Sequence, residues 1–158
     1  MEENPLYSVS EEGGVRNGRS LRPLALRKNN RGIIYVGLTI NSQQVNRSVA
    51  VLVADHFLPP PMRSTFDTPI HLDGDRSNCH VNNLLWRPRW FAVHYHRQFN
   101  RETPQNQRAC KEIETGYIFK SDFDAAREYG LLVQDIRWNY NKNKPVFPTN
   151  RRFEFLDI

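Results

Sequence analysis

The chain is poor in cysteine: Cys79 and Cys110 are the only two in 158 residues, and they do not form a metal-spaced pair. A disulfide between the two is one reading, and a reduced intracellular thiol pair is the expectation. No apolar run approaches the roughly 20 residues that a membrane helix needs. The opening Met1-Glu2-Glu3-Asn4-Pro5 is acidic and polar, so neither a signal nor a transit peptide is expected. Acid is also missing where base is plentiful. Between Gly13 and Ala54 stand Arg16, Arg19, Arg22, Arg27, Lys28, Arg31 and Arg47 with no Asp or Glu. Arg76 to Arg101 is a second acid-free stretch, with five arginines. Such blocks suit a polyanion, because each cation that neutralises a phosphate releases condensed counterions.

What is present has the makeup of an ordinary globular chain, 39% hydrophobic and 25% charged, with a net charge of +5. The first segment is turn-rich, through Ser10 to Gly14 and Asn17-Gly18. The turn Asn29-Asn30-Arg31-Gly32 introduces a strand from Ile33 to Ile40, and Gln44 to Val49 is a weaker strand candidate. Ala50 to Leu58 reads as a short buried helix stopped by Pro59-Pro60-Pro61. A polar, Pro104-containing stretch reads as a linker. Toward the end, a hairpin around Thr115-Gly116 precedes helices expected at Asp122 to Tyr129 and Val133 to Asn141, parted by Gly130.

The most specific stretch runs from Ile70 to Trp86: Ile-His-Leu-Asp-Gly-Asp-Arg-Ser-Asn-Cys-His-Val-Asn-Asn-Leu-Leu-Trp. It resembles the core of HNH homing endonucleases, matching at His71, Leu72, Asp73, Gly74, Asp75, Asn78, Asn83, Leu84 and Trp86. Arg76 keeps the charge of the family's Lys, and Cys79 replaces the second Asn of a pair. The resemblance implies a ββα-metal fold. Its general base would be His71, taking a proton from the water that attacks the phosphate. Asn83 would brace the loop that aims this base, and one divalent ion would stabilise the charge that develops.

The resemblance also places the metal ligands, and there the chain departs from the pattern. Ile70 stands where the family has Asn or Asp before the His, and Ala92 stands where the helix ligand falls. A shifted site would draw on His96, one helical turn beyond Ala92, with Asp67 or Asp73, while His94 points elsewhere. His71 is then either a general base or a residue that fills its loop by hydrogen bonding.

The flanks extend the likeness. Tyr7, Val9, Ser10, Gly13, Val15 and Arg16 resemble the opening of the strand module that precedes such cores. Gly32 to Val36 and Leu52 to Phe57 resemble its later strand and helix. In that family the segment lays strands in a DNA groove and leans cations on phosphates. Gly116, Phe119, Ser121, Ala125, Ala126, Gly130, Ile136 and Asn139 resemble the helix-turn-helix that follows such cores. Ser121 would cap its first helix. Gln134, Arg137 and Asn139 would face base edges, and Lys142, Lys144, Arg151 and Arg152 would hold phosphates. Leu131, Leu132 and Trp138 are expected in the core.

The expected architecture is α+β. A small N-terminal β-rich module and an HNH-like core fill residues 1–100, a linker spans 101–110, and a helix-turn-helix-like module fills 111–158. The expected function is that of a DNA-binding protein derived from an HNH homing endonuclease, with a nuclease centre that has lapsed. Arg16, Arg19, Arg22, Arg27, Lys28, Gln134, Arg137, Lys142 and Lys144 would contact duplex DNA, and no cofactor is expected. One alternative is a DNA-nicking endonuclease using Mg or Mn. The other is a structural or assembly subunit of a phage particle or complex. Host cytoplasm, or a phage particle, is the implied location.

Overall fold

Side chains of Asn and backbone freedom at Gly set the first turns. Strand β1 (Tyr7–Val9) pairs antiparallel with β2 (Val15–Asn17), with Tyr7 opposite Asn17. Next come β3 (Leu26–Lys28), β4 (Ile34–Ile40) and β5 (Gln43–Ser48), an antiparallel sheet in that order. In the β3–β4 turn the Asn29 carbonyl oxygen of the side chain accepts from the amides of Arg31 and Ile33. The strands expected at Ile33 to Ile40 and Gln44 to Val49 thus form within a residue of their expected ends. The short strands β1 and β2 fall where the sequence resembles the opening of the strand module, and β3 lies in a stretch with no strand signal of its own.

Period-two alternation turns Val36 and Leu38 of β4 inward. Helix α1 (Val49–Phe57) buries Val49, Ala50, Val53 and Ala54, a single stripe at helical spacing, and ends just before the three prolines. Strands β6 (Thr68–His71) and β7 (Leu84–Arg87) form an antiparallel pair that sets His71 opposite Leu84. Val15, Val36, Leu38, Val49, Ala50, Val53, Cys79 and Leu84 make one continuous core.

The computed structural model describes residues 6–100 and 106–156. It divides into two compact units, 1–89 and 90–158. Helix α2 (Arg89–Arg97) starts at that division and clusters with the second unit. Residues 101–105 of the expected linker lie outside the described residues, as do residues 1–5 and 157–158.

The second unit continues with β8 (Cys110–Glu112), β9 (Ile118–Phe119), α3 (Asp122–Tyr129), α4 (Val133–Asn139) and β10 (Phe153–Phe155). Its antiparallel sheet has the order β10-β8-β9. The ends of α3 follow from its sequence. Ser121 Oγ accepts from the Asp124 amide at 3.0 Å, and Gly130 takes the left-handed conformation at φ 63°. Helix α4 is shorter than expected, passing at Tyr140–Lys142 into a 3-10 turn. Cys110, Phe119, Ala125, Ala126, Leu131, Ile136, Val146 and Phe153 form the core of this unit. No described helix is long and apolar enough to cross a membrane.

Gly13 is the tightest joint of the first unit. Its φ is +90°, and an added Cβ would lie 3.1 Å from Cys79 Cβ and 3.3 Å from Val49 Cγ1. Both neighbours belong to the core, so neither can swing away. Gly13→Ala is therefore expected to cost roughly 2 kcal/mol, from backbone strain and overpacking together. Urea unfolding should show a lowered midpoint with an unchanged slope; an unaltered midpoint would contradict this packing.

Candidate functional site

The loop from Leu72 to Asn83 is held by its own polar side chains. The Asn83 amide nitrogen donates to Asp73 Oδ1 and to the Asn78 carbonyl, both at 2.9 Å. Its oxygen accepts from the Asp73 amide at 3.1 Å, and its backbone carbonyl accepts from the Leu72 amide at 2.8 Å. Asn78 Nδ2 reaches the other Asp73 oxygen at 2.8 Å. Asp75 accepts from the amide and hydroxyl of Ser77. Gly74, at φ 79°, closes the turn with its amide on the His71 carbonyl. Burial by itself would raise the Asp73 carboxyl. Donors from Asn78, Asn83 and the Asp75 amide outweigh it and hold the group below its ordinary range.

His71 ends β6 and is 5% exposed. Burial pushes its imidazole down to about 4 from the ordinary 6.5; Asp73 and Asp75 oppose the shift and Arg76 adds to it. At neutral pH the ring is therefore uncharged, the form able to accept a proton. Its neighbour Ile70 is fully buried, and Ala92 on α2 is 3% exposed. Neither carries a donor atom. His94 is exposed, whereas His96 is half-buried with its ring edge-on to Tyr95. Among the described residues no group of three or more His, Cys, Asp and Glu side chains is placed to hold a metal. The residues present at the expected ligand positions do not fit a hard divalent ion, which requires oxygen donors.

The basic residues of the first unit are displayed on its strands and turns. Arg16 lies on β2, Arg19 and Arg22 in the following loop, and Arg27 and Lys28 on β3, and all five are exposed. Gly32 brings the β3–β4 turn close to the HNH-like loop: a Cβ there would lie 3.8 Å from Lys28 Cε and 3.9 Å from Arg76 Cβ. Lys28 also helps hold the Asp75 carboxyl low, behind the hydrogen bonds from Ser77. Lys28 is thereby set beside this loop. Arg87, from the second acid-free stretch, is instead buried, with Nη1 donating to the Trp86 carbonyl at 2.8 Å.

In the second unit several cations turn out to be committed to carboxylates. Arg137 donates from Nε to Asp122 Oδ2 at 2.5 Å and from Nη2 to the Asn106 carbonyl at 3.0 Å. Asp122 is fully buried. Arg151 reaches the equally buried Glu112 at 2.8 Å and stacks on Tyr129, and Arg152 pairs with Glu114 at 2.8 Å. The expectation that Arg151 and Arg152 await phosphates is corrected accordingly: Arg151 serves a buried carboxylate that needs a partner, and Arg152 is paired at the surface. Trp138 is likewise corrected: it is 66% exposed, with Lys142 Nζ 4.2 Å from its ring centre. Leu131 is fully buried, as expected. Gln134 and Trp138 of α4 are exposed, as are Lys142 and Lys144 in the segment after it. Nothing in the local sequence signalled Glu112 or Asp122 as core carboxylates.

Two outcomes follow from this geometry. The unfolded chain protonates His71 near pH 6.5, while the fold resists until about 4. Stability from this group is thus full above 6.5, falls as pH drops toward 4, and levels below. The loss should reach roughly 3 kcal/mol. Urea titrations across that window should flatten by this amount in His71→Gln, and parallel profiles for both proteins would contradict it. Separately, Arg137→Gln strands a buried charge and should cost roughly 2 kcal/mol or more. Adding Asp122→Asn should recover much of the loss, and strictly additive costs would refute the pairing.

No family model and no curated protein matches the chain. Among solved structures it is similar to that of the HNH homing endonuclease I-HmuI, described for its DNA binding and cleavage. The identity is 22% and the TM-score 0.51, with 95% of this chain and 91% of that chain covered. The chain has the fold of an HNH homing endonuclease.

Proposed function

We propose that this protein binds duplex DNA through its basic strands and turns, and that its HNH-like centre does not cleave. The observation that carries the second half is the pair Ile70 and Ala92: buried, apolar, and standing where the resemblance puts metal ligands. Without oxygen donors there, a hard ion would keep mostly water and would not be fixed against a phosphate. His71 alone would offer general-base assistance worth about 10²–10⁴-fold, well below the 10⁶-fold or more typical of enzymes. Binding would rest on Arg16, Arg19, Arg22, Arg27 and Lys28 from the first unit. From the helix-turn-helix-like pair α3–α4, Gln134, Lys142 and Lys144 would contribute.

A second reading, a metal-dependent nicking enzyme, draws on one observation. Every side chain of the Asp73–Asn78–Asn83 network keeps its hydrogen bonds around His71. Supercoiled plasmid with Mg or Mn separates the two. The expected outcome is salt-sensitive binding of a mixed-sequence duplex by anisotropy, with a log–log slope reporting several counterions, and plasmid that stays supercoiled. Metal-dependent nicking that disappears in His71→Ala would establish the nicking reading instead. Absence of binding even at low salt would overturn the DNA reading.

A further inference from the structure

The loop between β2 and β3 contains a feature that neither folding nor packing calls for. Leu21 has φ 56°, a left-handed conformation that glycine takes freely and a leucine does not. It is also 66% exposed, so burial does not compensate for the strain. The loop around it is firmly tied. Asn17 Oδ1 accepts from the amides of Arg19 and Ser20 at 2.9 and 3.0 Å, and the Asn17 carbonyl accepts from Leu21 at 2.9 Å. The Asn17 amide donates to the Arg22 carbonyl at 3.0 Å, and the Gly18 amide to the Leu6 carbonyl at 2.6 Å. An apolar side chain is thereby held out on a rigid turn where glycine would serve the backbone better. Exposed Arg16, Arg19 and Arg22 stand close to it in sequence, and no acidic residue occurs from Gly13 to Ala54.

We propose that Leu21 is an apolar wedge that enters a groove of duplex DNA and partly unstacks a base step, while Arg16, Arg19 and Arg22 seat on the flanking phosphates. The proposal rests on the DNA-binding reading above and adds to it a residue and a mode of contact. Stored backbone strain at a functional site is a recognised pattern, and apolar side chains that open base steps are used by groove-binding proteins. The surroundings match a duplex: anionic rims, complementary to three arginines, around an apolar stack one side chain wide. A lipid surface has the same charge, but one leucine is too little apolar area to anchor a protein there.

The test needs no knowledge of a target site, because a wedge gains most where stacking is already weak. Two 30-base-pair probes of the same mixed sequence are compared by anisotropy, one fully paired and one with a central two-base mismatch. The wild-type chain should prefer the mismatched probe by roughly tenfold, the order of one buried leucine. Leu21→Gly should lose the preference and bind the two probes alike. Because glycine suits φ 56°, its melting temperature should be unchanged or raised, which separates loss of the wedge from loss of fold. Equal preference in both proteins overturns the wedge alone. Absence of binding to either probe overturns the DNA reading and the wedge with it. Binding to phosphatidylserine vesicles that Leu21→Gly abolishes, with DNA binding untouched, reassigns the loop to membranes and overturns the proposal.

Discussion

The Asn83 side chain spans the mouth of the loop between β6 and β7, and most of the first unit is positioned through it. A loop of this length would otherwise sample many conformations, since each ordered residue costs about 1–2 kcal/mol of backbone entropy. Asn83 offsets part of that by joining Asp73 and the Asn78 carbonyl across ten and five residues. Once the loop is fixed, Cys79 is delivered to the core, where Gly13 must lie directly against it. The Val81 amide then donates to the Glu11 carbonyl at 2.8 Å, tying the β1–β2 turn to the same loop. The β3–β4 turn approaches Arg76 from another side. The β1–β2 and β3–β4 turns, which carry or flank the basic strands, therefore both meet the HNH-like loop.

That network has a second consequence. It is complete without any ion, because Asp73 receives its hydrogen bonds from Asn78, Asn83 and the Asp75 amide. A buried Ile at position 70 contributes about 1.5–3 kcal/mol through removal of its side chain from water, where a polar ligand would instead need a partner. Scaffold and catalysis are thus separable: the hydrogen bonds that shape the loop do not require the donor atoms that would bind a metal. This separability is what would allow an HNH-like fold to keep its loop while binding without cutting, as proposed above.

The second unit handles charge differently. Glu112 and Asp122 are both fully buried, and each is met by an arginine from a distant part of the chain. Such pairs add little net stability, but removing one partner is costly. Arg137 and Arg151 are consequently fixed as structural residues. The exposed side chains on α4 and the segment after it include Gln134, Trp138, Lys142 and Lys144, an aromatic ring with a lysine over it rather than a row of free arginines.

Local chemistry was legible in the sequence. The Asn-rich turns, the stop at the prolines, the Ser121 cap, the Gly130 turn, the limits of α3 and the α+β class all depend on residues within a few positions of one another. The His71 to Trp86 motif belongs to the same category, since its hydrogen bonds close within one loop. Ile70 and Ala92 lack donor atoms by residue type alone. Only the tertiary structure decided that these two are buried, that Trp138 is not, and that Leu21 is held outward on a strained turn. It alone decided that Arg137, Arg151 and Arg152 face carboxylates 15 to 39 residues away. The reason is that an arginine's partner, like a side chain's exposure, is set by which distant elements pack beside it, and no local periodicity encodes that.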